Sequence, residues 1–299
     1  MQALNIIGYA KLWVTTSVLL MLAAVITLIV LKPNYGIDFT GGSLLEIEVA
    51  NTSNQDLHAE ILALGKEAVV QSSEGDSYFV RLGVITEAEH QVLLTGLQVT
   101  HPDLVEHKFD SVGPVIGAEL KRNASIAVVV LLALIAIYIA WAFRHVSEPI
   151  PSWKYGVTTL FTAFHDVIIP LGVFAILGRT AGYQIDIAFV AAMLTILGYS
   201  INDTIVVLDR TRENLARYRH STKSFGEIVN QSIVETLGRS INTTLATLLP
   251  LVAIFAVGGE STRPFVLALI IGIVAGAYSS IFFASPLLVL WEKWGRRTS

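Results

Sequence analysis

The chain has 299 residues, 53% of them hydrophobic and 15% charged, with a formal net charge of −4 and no cysteine. That composition is that of a membrane protein. It excludes a disulfide framework, a cysteine-based metal site and a thiol nucleophile; the small net charge says little, because the charges are segregated along the chain.

Six segments are predicted to span a bilayer, near residues 12–31, 124–143, 155–177, 187–208, 241–257 and 264–290, since about 20 apolar residues cover the hydrocarbon core. The fifth is short. The first reads as an anchor: its apolar run exceeds that of a signal peptide and no small-residue cleavage site follows it. Basic residues set the expected orientation. The connection after the fourth helix carries Arg210, Arg212, Arg217, Arg219, Lys223 and Arg239. The C-terminal tail carries Lys293, Arg296 and Arg297, and the second connection Arg144 and Lys154. The loops of opposite parity carry only Arg179 and Arg263. Both termini are therefore expected in the cytoplasm and residues 33–122 on the exported side.

After a short tail and the first helix (1–32) comes Gly36-Ile37-Asp38-Phe39-Thr40-Gly41-Gly42-Ser43. Gly41-Gly42 reads as a tight turn feeding a strand, with Leu45, Ile47 and Val49 on one face and Glu46 and Glu48 on the other. Leu57, Ile61 and Leu64 follow at helical spacing. Strand-like runs at 68–71 and 78–82 flank the turn-like Ser72-Ser73-Glu74-Gly75-Asp76. Thr86-Glu87-Ala88-Glu89 has the pattern of a capping box, and a last extended run covers 104–112. The order strand, helix, strand, strand, helix, strand predicts a small α+β ferredoxin-like domain over 33–122, with one modest core.

Gly113 and Pro114 lie in the link to the second membrane helix, which is either a plain connector or a hinge. Residues 123–299 read as a five-helix membrane domain with a cytoplasmic connection at 209–239. Ser224-Phe225-Gly226-Glu227 is a second capping-box pattern. Phe225, Ile228, Val229, Ile233 and Leu237 then share one face, predicting a helix along the membrane surface or packed on the bundle. The basic cluster at 210–223 is expected to set topology, with contact to anionic lipid or a partner as the alternative. Gly272, Gly276, Ser280 and Ala284 recur at intervals of four, a stripe read as helix packing. Pro170, Pro250 and Pro286 are expected to kink their helices.

Three polar groups interrupt the apolar runs. Asp203 has Ser200, Asn202 and Thr204 near it. His165-Asp166 follows Thr158, Thr159 and Thr162, with Thr158, Thr162 and His165 (or Asp166) spaced to share a face. Arg239 precedes Ser240, Asn242, Thr243, Thr244 and Thr247. Each stripe is expected to face the bundle interior, because an intramembrane carboxylate costs about 2.5–3.5 kcal/mol unless it finds a partner, a proton or water. Burial favours the protonated carboxyl and a nearby cation favours the charged one. A carboxylate that gains and loses a cation as helices move can therefore load and release a proton. Asp203 is the expected carrier, Arg239 the switching counter-charge, and His165-Asp166 a relay; a static packing cluster is the competing reading. Neighbouring His165 and Asp166 point about 100° apart on a helix, which is not metal-pair spacing. No nucleotide-binding fingerprint is present, and nucleic-acid binding has no support beyond the arginine cluster. An intramembrane aspartyl protease using Asp166 and Asp203 is the enzyme alternative.

Several of these stretches resemble the SecF branch of the SecD/SecF family of protein-export membrane subunits. They are the segment from Gly36 to Gly42 after a first membrane helix, Ser111-Val112-Gly113-Pro114 before the second, His165-Asp166 in the third, and Gly198 to Glu213. Their order and spacing cover nearly the whole chain. The resemblance implies a six-helix polytopic fold of the resistance-nodulation-division superfamily. It implies a SecD-like sister subunit that supplies a further acid, the SecYEG channel and YajC as partners, and the bacterial inner membrane as location. Its activity would be use of the proton-motive force to promote late steps of polypeptide export, with Asp203 as the family's membrane-embedded acid and Arg239 its basic partner. No enzyme activity, cofactor or metal is expected; the coupling ion is a proton, with sodium left open. A non-catalytic scaffold and a small-molecule exporter of the same superfamily are the alternatives.

Overall fold

The computed structural model describes residues 4–72, 75–142 and 150–298; Ser73-Glu74 of the predicted turn, Arg144 of the second connection and the Arg297 side chain lie outside them. The chain forms two units. One comprises residues 34–126 together with 180–188, the other residues 1–33, 127–179 and 189–299.

In the first unit a helical turn, α2 (Ile37–Thr40), leads into β1 (Gly42–Glu48). There follow α3 (Asn54–Ala63), β2 (Ala68–Ser72), β3 (Ser77–Leu82), α4 (Glu87–Thr100) and β4 (Val105–Val112). The sheet order is β2-β3-β1-β4 with every pairing antiparallel, the expected ferredoxin-like arrangement. Alternation along β1 sends Leu45, Ile47 and, just beyond it, Val49 into a core with Val80 of β3. Leu57 and Ile61 of α3 and Leu93 and Leu97 of α4 complete it.

The predicted capping box forms at the start of α4, where Thr86 and Glu89 satisfy each other's backbone amides. Lys66 Nζ lies 2.5 Å from Glu89 Oε1. That hydrogen bond, followed by those from Thr86, holds the Glu89 carboxyl down at about 2 from its ordinary 4.5. A carboxyl lowered on folding adds stability above about pH 4.5 that is lost as pH falls through about 2. Urea titrations of a fragment spanning 34–126 are expected to show that loss. With Lys66→Met the fragment should be less stable at neutral pH and should lose less on acidification; an unchanged pH dependence would count against the Lys66–Glu89 link.

In the second unit lie α1 (Ala10–Leu31), α6 (Ser152–Thr180) but for its last residue, α7 (Ile187–Arg217) but for its first two, α8 (Phe225–Val257), α9 (Arg263–Ser279) and α10 (Ser285–Thr298), while α5 (Pro114–Ala142) contributes residues to both units. Among the described residues six helical stretches are long and apolar enough to cross a membrane, α9 and α10 counting as one. The core gathers Ile139, Tyr155, Ile201, Val207, Phe225, Ile233 and Leu288.

One expectation changes here. The amphipathic stretch from Phe225 and the supposedly short fifth span are one continuous 33-residue helix, whose first turns pack into the bundle core. The second capping box does form at its start, on Ser224 and Glu227. Pro114 stands at the first position of α5, where a missing N–H leaves nothing unsatisfied. Of the basic cluster, Arg210 pairs with Glu235 and Glu213, Arg212 with Asp209, and Arg217 with Glu213.

Candidate functional site: two buried carboxylates on a serine network

Asp166 on α6 and Asp203 on α7 are 0% and 7% exposed. Ser200 and Asp203 lie three apart on α7 and so share a face. Ser200 Oγ donates to Asp166 Oδ2, and Ser279 Oγ, at the end of α9, donates to the same oxygen at 2.9 Å. The other oxygen, Oδ1, lies 2.8 Å from His165 Nδ1. Asp203 is held the same way: Ser240 Oγ of α8 donates to Oδ1 at 2.5 Å and Ser280 Oγ donates to Oδ2. Four helical segments thus converge on two acids.

Ser279 and Ser280 are adjacent in sequence yet serve different acids. The backbone explains how. Residues Ser280–Ala284 form a π-helical turn, wider than an α-turn. Pro286 follows, with no N–H to donate and a ring that clashes with the carbonyl four residues back, so the regular ladder cannot run through this stretch. Gly276 supplies the close approach: a Cβ there would lie 2.8 Å from Ser200 Cβ and 3.2 Å from its Oγ.

His165 is fully buried, its ring stacked at 5.9 Å on Tyr278 and 5.3 Å on Phe283. Its Nε2 and the hydroxyl oxygens of Thr158 and Thr204 are buried without a hydrogen-bond partner among the described residues. Such groups are costly, about 1–3 kcal/mol each, and collect where polar chemistry occurs.

The structure brings together Asp203, Asp166, His165 and Ser200, all buried, and buries Thr204 beside Asp203 in sequence. It does not bring Arg239 to Asp203. Arg239 is exposed and makes no ion pair among the described residues, as Ser240, its neighbour in sequence, takes the inward position. Asn202 is also exposed. The expected inward stripe on α8 reduces to Ser240: Thr243 is exposed and Thr247 half-buried, and both hydroxyls donate to carbonyls of their own helix. Although His165 and Asp166 are adjacent on a helix, their side chains turn toward each other and touch. No cluster of three or more metal-ligating side chains occurs among the described residues.

Sequence reasoning missed Ser279 and assigned Ser280 to packing. The usable signal was a pair of hydroxyls a few residues before a membrane-helix proline, where the ladder must deviate. Gly272 and Gly276 do pack closely, against Ile196 and Ser200.

In the first unit, Gly41 and Gly42 have φ of +72° and +126°, and a Cβ on Gly41 would lie 3.0 Å from Pro114 Cα. The turn expected at this pair therefore both requires glycine backbone and seats the start of α5. Gly113 stands between β4 and α5 with open space at its Cβ position.

A ferredoxin-like unit inserted after the first of six membrane-length helices, with paired acids inside the bundle, defines a multi-pass membrane protein built around an intramembrane carboxylate cluster. The profile of "Protein export membrane protein SecD/SecF, C-terminal" matches residues 93–294, and that of the "SecD/SecF GG Motif" matches residues 26–53. The chain belongs to the SecD/SecF family of protein-export membrane proteins. It is 39% identical to the protein translocase subunit SecF of Thermobaculum terrenum, over 97% of this chain and 94% of that one. It is 38% identical to the protein translocase subunit SecDF of Thermus thermophilus, over 97% of this chain and 38% of that one. The crystal structure of the translocon-associated SecDF from Thermus thermophilus superposes with a TM-score of 0.85 at 36% identity, covering 97% of this chain. The chain spans 39% of that SecDF chain.

Proposed function

We propose that this chain is the SecF-type subunit of a protein translocase, and that it uses the proton-motive force to promote late steps of polypeptide export. It acts by transport, with no chemical conversion of a substrate and no bound cofactor. The observation that carries the reading is the hydroxyl lining of Asp203 and Asp166. A serine hydroxyl donates to a carboxylate and, after rotation, accepts from a carboxylic acid. Two buried acids held mainly by serines therefore keep hydrogen-bond partners in either protonation state. A fixed ion pair would favour only the charged one.

In this reading Asp203 loads and releases the proton, and Asp166 with His165 relays it. The exposed Arg239 faces a SecD-like subunit, whose membrane acid it pairs with. That partner is supported by the single-chain SecDF relative, in which this chain's counterpart is about two fifths of the whole. Exposed Ile241, Leu245, Leu249 and Val252 on α8 offer apolar area to such a neighbour or to lipid. The SecYEG channel, YajC and the unfolded polypeptide complete the assembly. It lies in the bacterial inner membrane, with both termini cytoplasmic and residues 33–122 on the exported side.

The test is export into membrane vesicles containing the full complex, with an imposed gradient and selective ionophores. A protonophore should remove the acceleration that depends on this chain and a sodium ionophore should leave it. The reverse pattern would assign sodium as the coupling ion. Acceleration untouched by either would leave a scaffold role.

A further inference from the structure

The segment Thr180–Ala188, which joins α6 to α7, belongs with the α/β unit and not with the bundle. It lies across that unit as a strap. Its Ile185 forms a parallel bridge with Tyr35; Gly36 N donates to Ile185 O at 2.9 Å and Ile185 N to Asn34 O at 2.8 Å. Side chains from the sheet hold the rest. Gln71 Nε2 of β2 donates to Ala181 O at 2.8 Å. Arg81 of β3 donates to Gly182 O at 3.4 Å and to Gln71 Oε1 at 3.2 Å. Gln184, its amide oriented so that the oxygen meets the guanidinium, accepts from Arg81 Nε at 2.8 Å. Gly182 has φ +69°, a conformation that residues with a side chain rarely adopt, and packs against the Gln71 amide. At the far end Asp38 Oδ2 accepts from the amide of Ile187, the first residue of α7, at 2.9 Å. A carboxylate at a helix N-terminus meets both the free amide and the positive end of the dipole.

The acids give this strap a meaning. Asp166 is on α6 and Asp203 on α7, and the strap is the covalent link between those two helices. A shift of α7 against α6 must either move the strap or break its hydrogen bonds, and a multidentate arginine clamp resists breaking. We propose that Asp38, Gln71 and Arg81 are positioning residues that clamp this strap, making it the element through which the protonation state of the acid-bearing helices is transmitted to the α/β unit. The inference rests on the proton-coupled reading above and adds the route of the coupling.

The test combines hydrogen exchange with export, in the full chain with its partner subunit. With the clamp intact, Asp203→Asn should change exchange across residues 180–188 by about fivefold, as expected for biasing a locally opening segment. In an Asp38→Ala/Arg81→Met background that response should vanish, with protection of β1 and β3 retained and force-dependent export reduced about tenfold. Asp38→Asn keeps the acceptor oxygen and should retain both coupling and export; failure equal to that of Asp38→Ala would overturn the capping role. If Asp203→Asn stops force-dependent export but leaves the strap's exchange unchanged, the clamp is overturned and the proton reading stands. If it changes neither, the proton reading fails and the clamp with it. Export at the unaltered rate in the double variant also overturns the clamp.

Discussion

Asp203→Asn is expected to abolish force-dependent export while leaving the protein folded and assembled. Asparagine is nearly isosteric with aspartate. Its carbonyl can accept from Ser240, and its amide can donate to Ser280 once that hydroxyl rotates, so both partners of Asp203 remain satisfied. The net change in bundle stability should stay within about 1 kcal/mol. What asparagine cannot do is take up and release a proton. Removing an obligatory proton-transfer group costs about 10²-fold or more in rate. Export with and without a gradient, at matched levels of complex, measures the difference. Unchanged force-dependent export would assign the Asp203 cluster to helix packing.

Gly42→Ala is expected to destabilise the α/β unit by about 3 kcal/mol. One part is backbone strain, since φ of +126° is a region that residues with a side chain rarely adopt, worth about 1–3 kcal/mol. The other is steric. The new methyl would lie 2.8 Å from Leu82 O, a backbone carbonyl of β3 that moves only if the strand moves. A unit of about 100 residues has about 5–15 kcal/mol of stability in total, so the loss is a large fraction. Hydrogen exchange of β1 and β3 amides in the full chain should accelerate by about 10²-fold, since each 1.4 kcal/mol is tenfold. Unaltered protection would mean that Gly42 is not needed for strand register.

Much of this architecture was legible because it is local. Six apolar runs are countable against bilayer thickness. The α/β unit announced itself through the two-residue alternation of Leu45, Ile47 and Val49 and through the capping box at Thr86–Glu89. Boundaries read less well. Where the apolar pattern of 225–237 met that of 241–257, nothing in the composition said whether one helix or two were present, since a polar stretch such as Arg239–Thr244 is compatible with either. The acids were legible too, because a carboxylate in an apolar run is conspicuous at any register.

The sequence by itself determined the membrane class, the inserted ferredoxin-like unit and the positions of Asp166 and Asp203. It did so through composition and periodicity, which depend only on near neighbours. Only the tertiary structure decided that Ser279 and Ser280 serve different acids, that Ser240 and not Arg239 reaches Asp203, and that Arg81 grips a loop about a hundred residues away. Those pairings depend on a π-helical turn, on the close approach at Gly276 and on the docking of distant segments. Adjacent side chains on a helix point about 100° apart, so the rotation of α8 about its own axis decides which of the two faces inward, and sequence spacing does not carry that information.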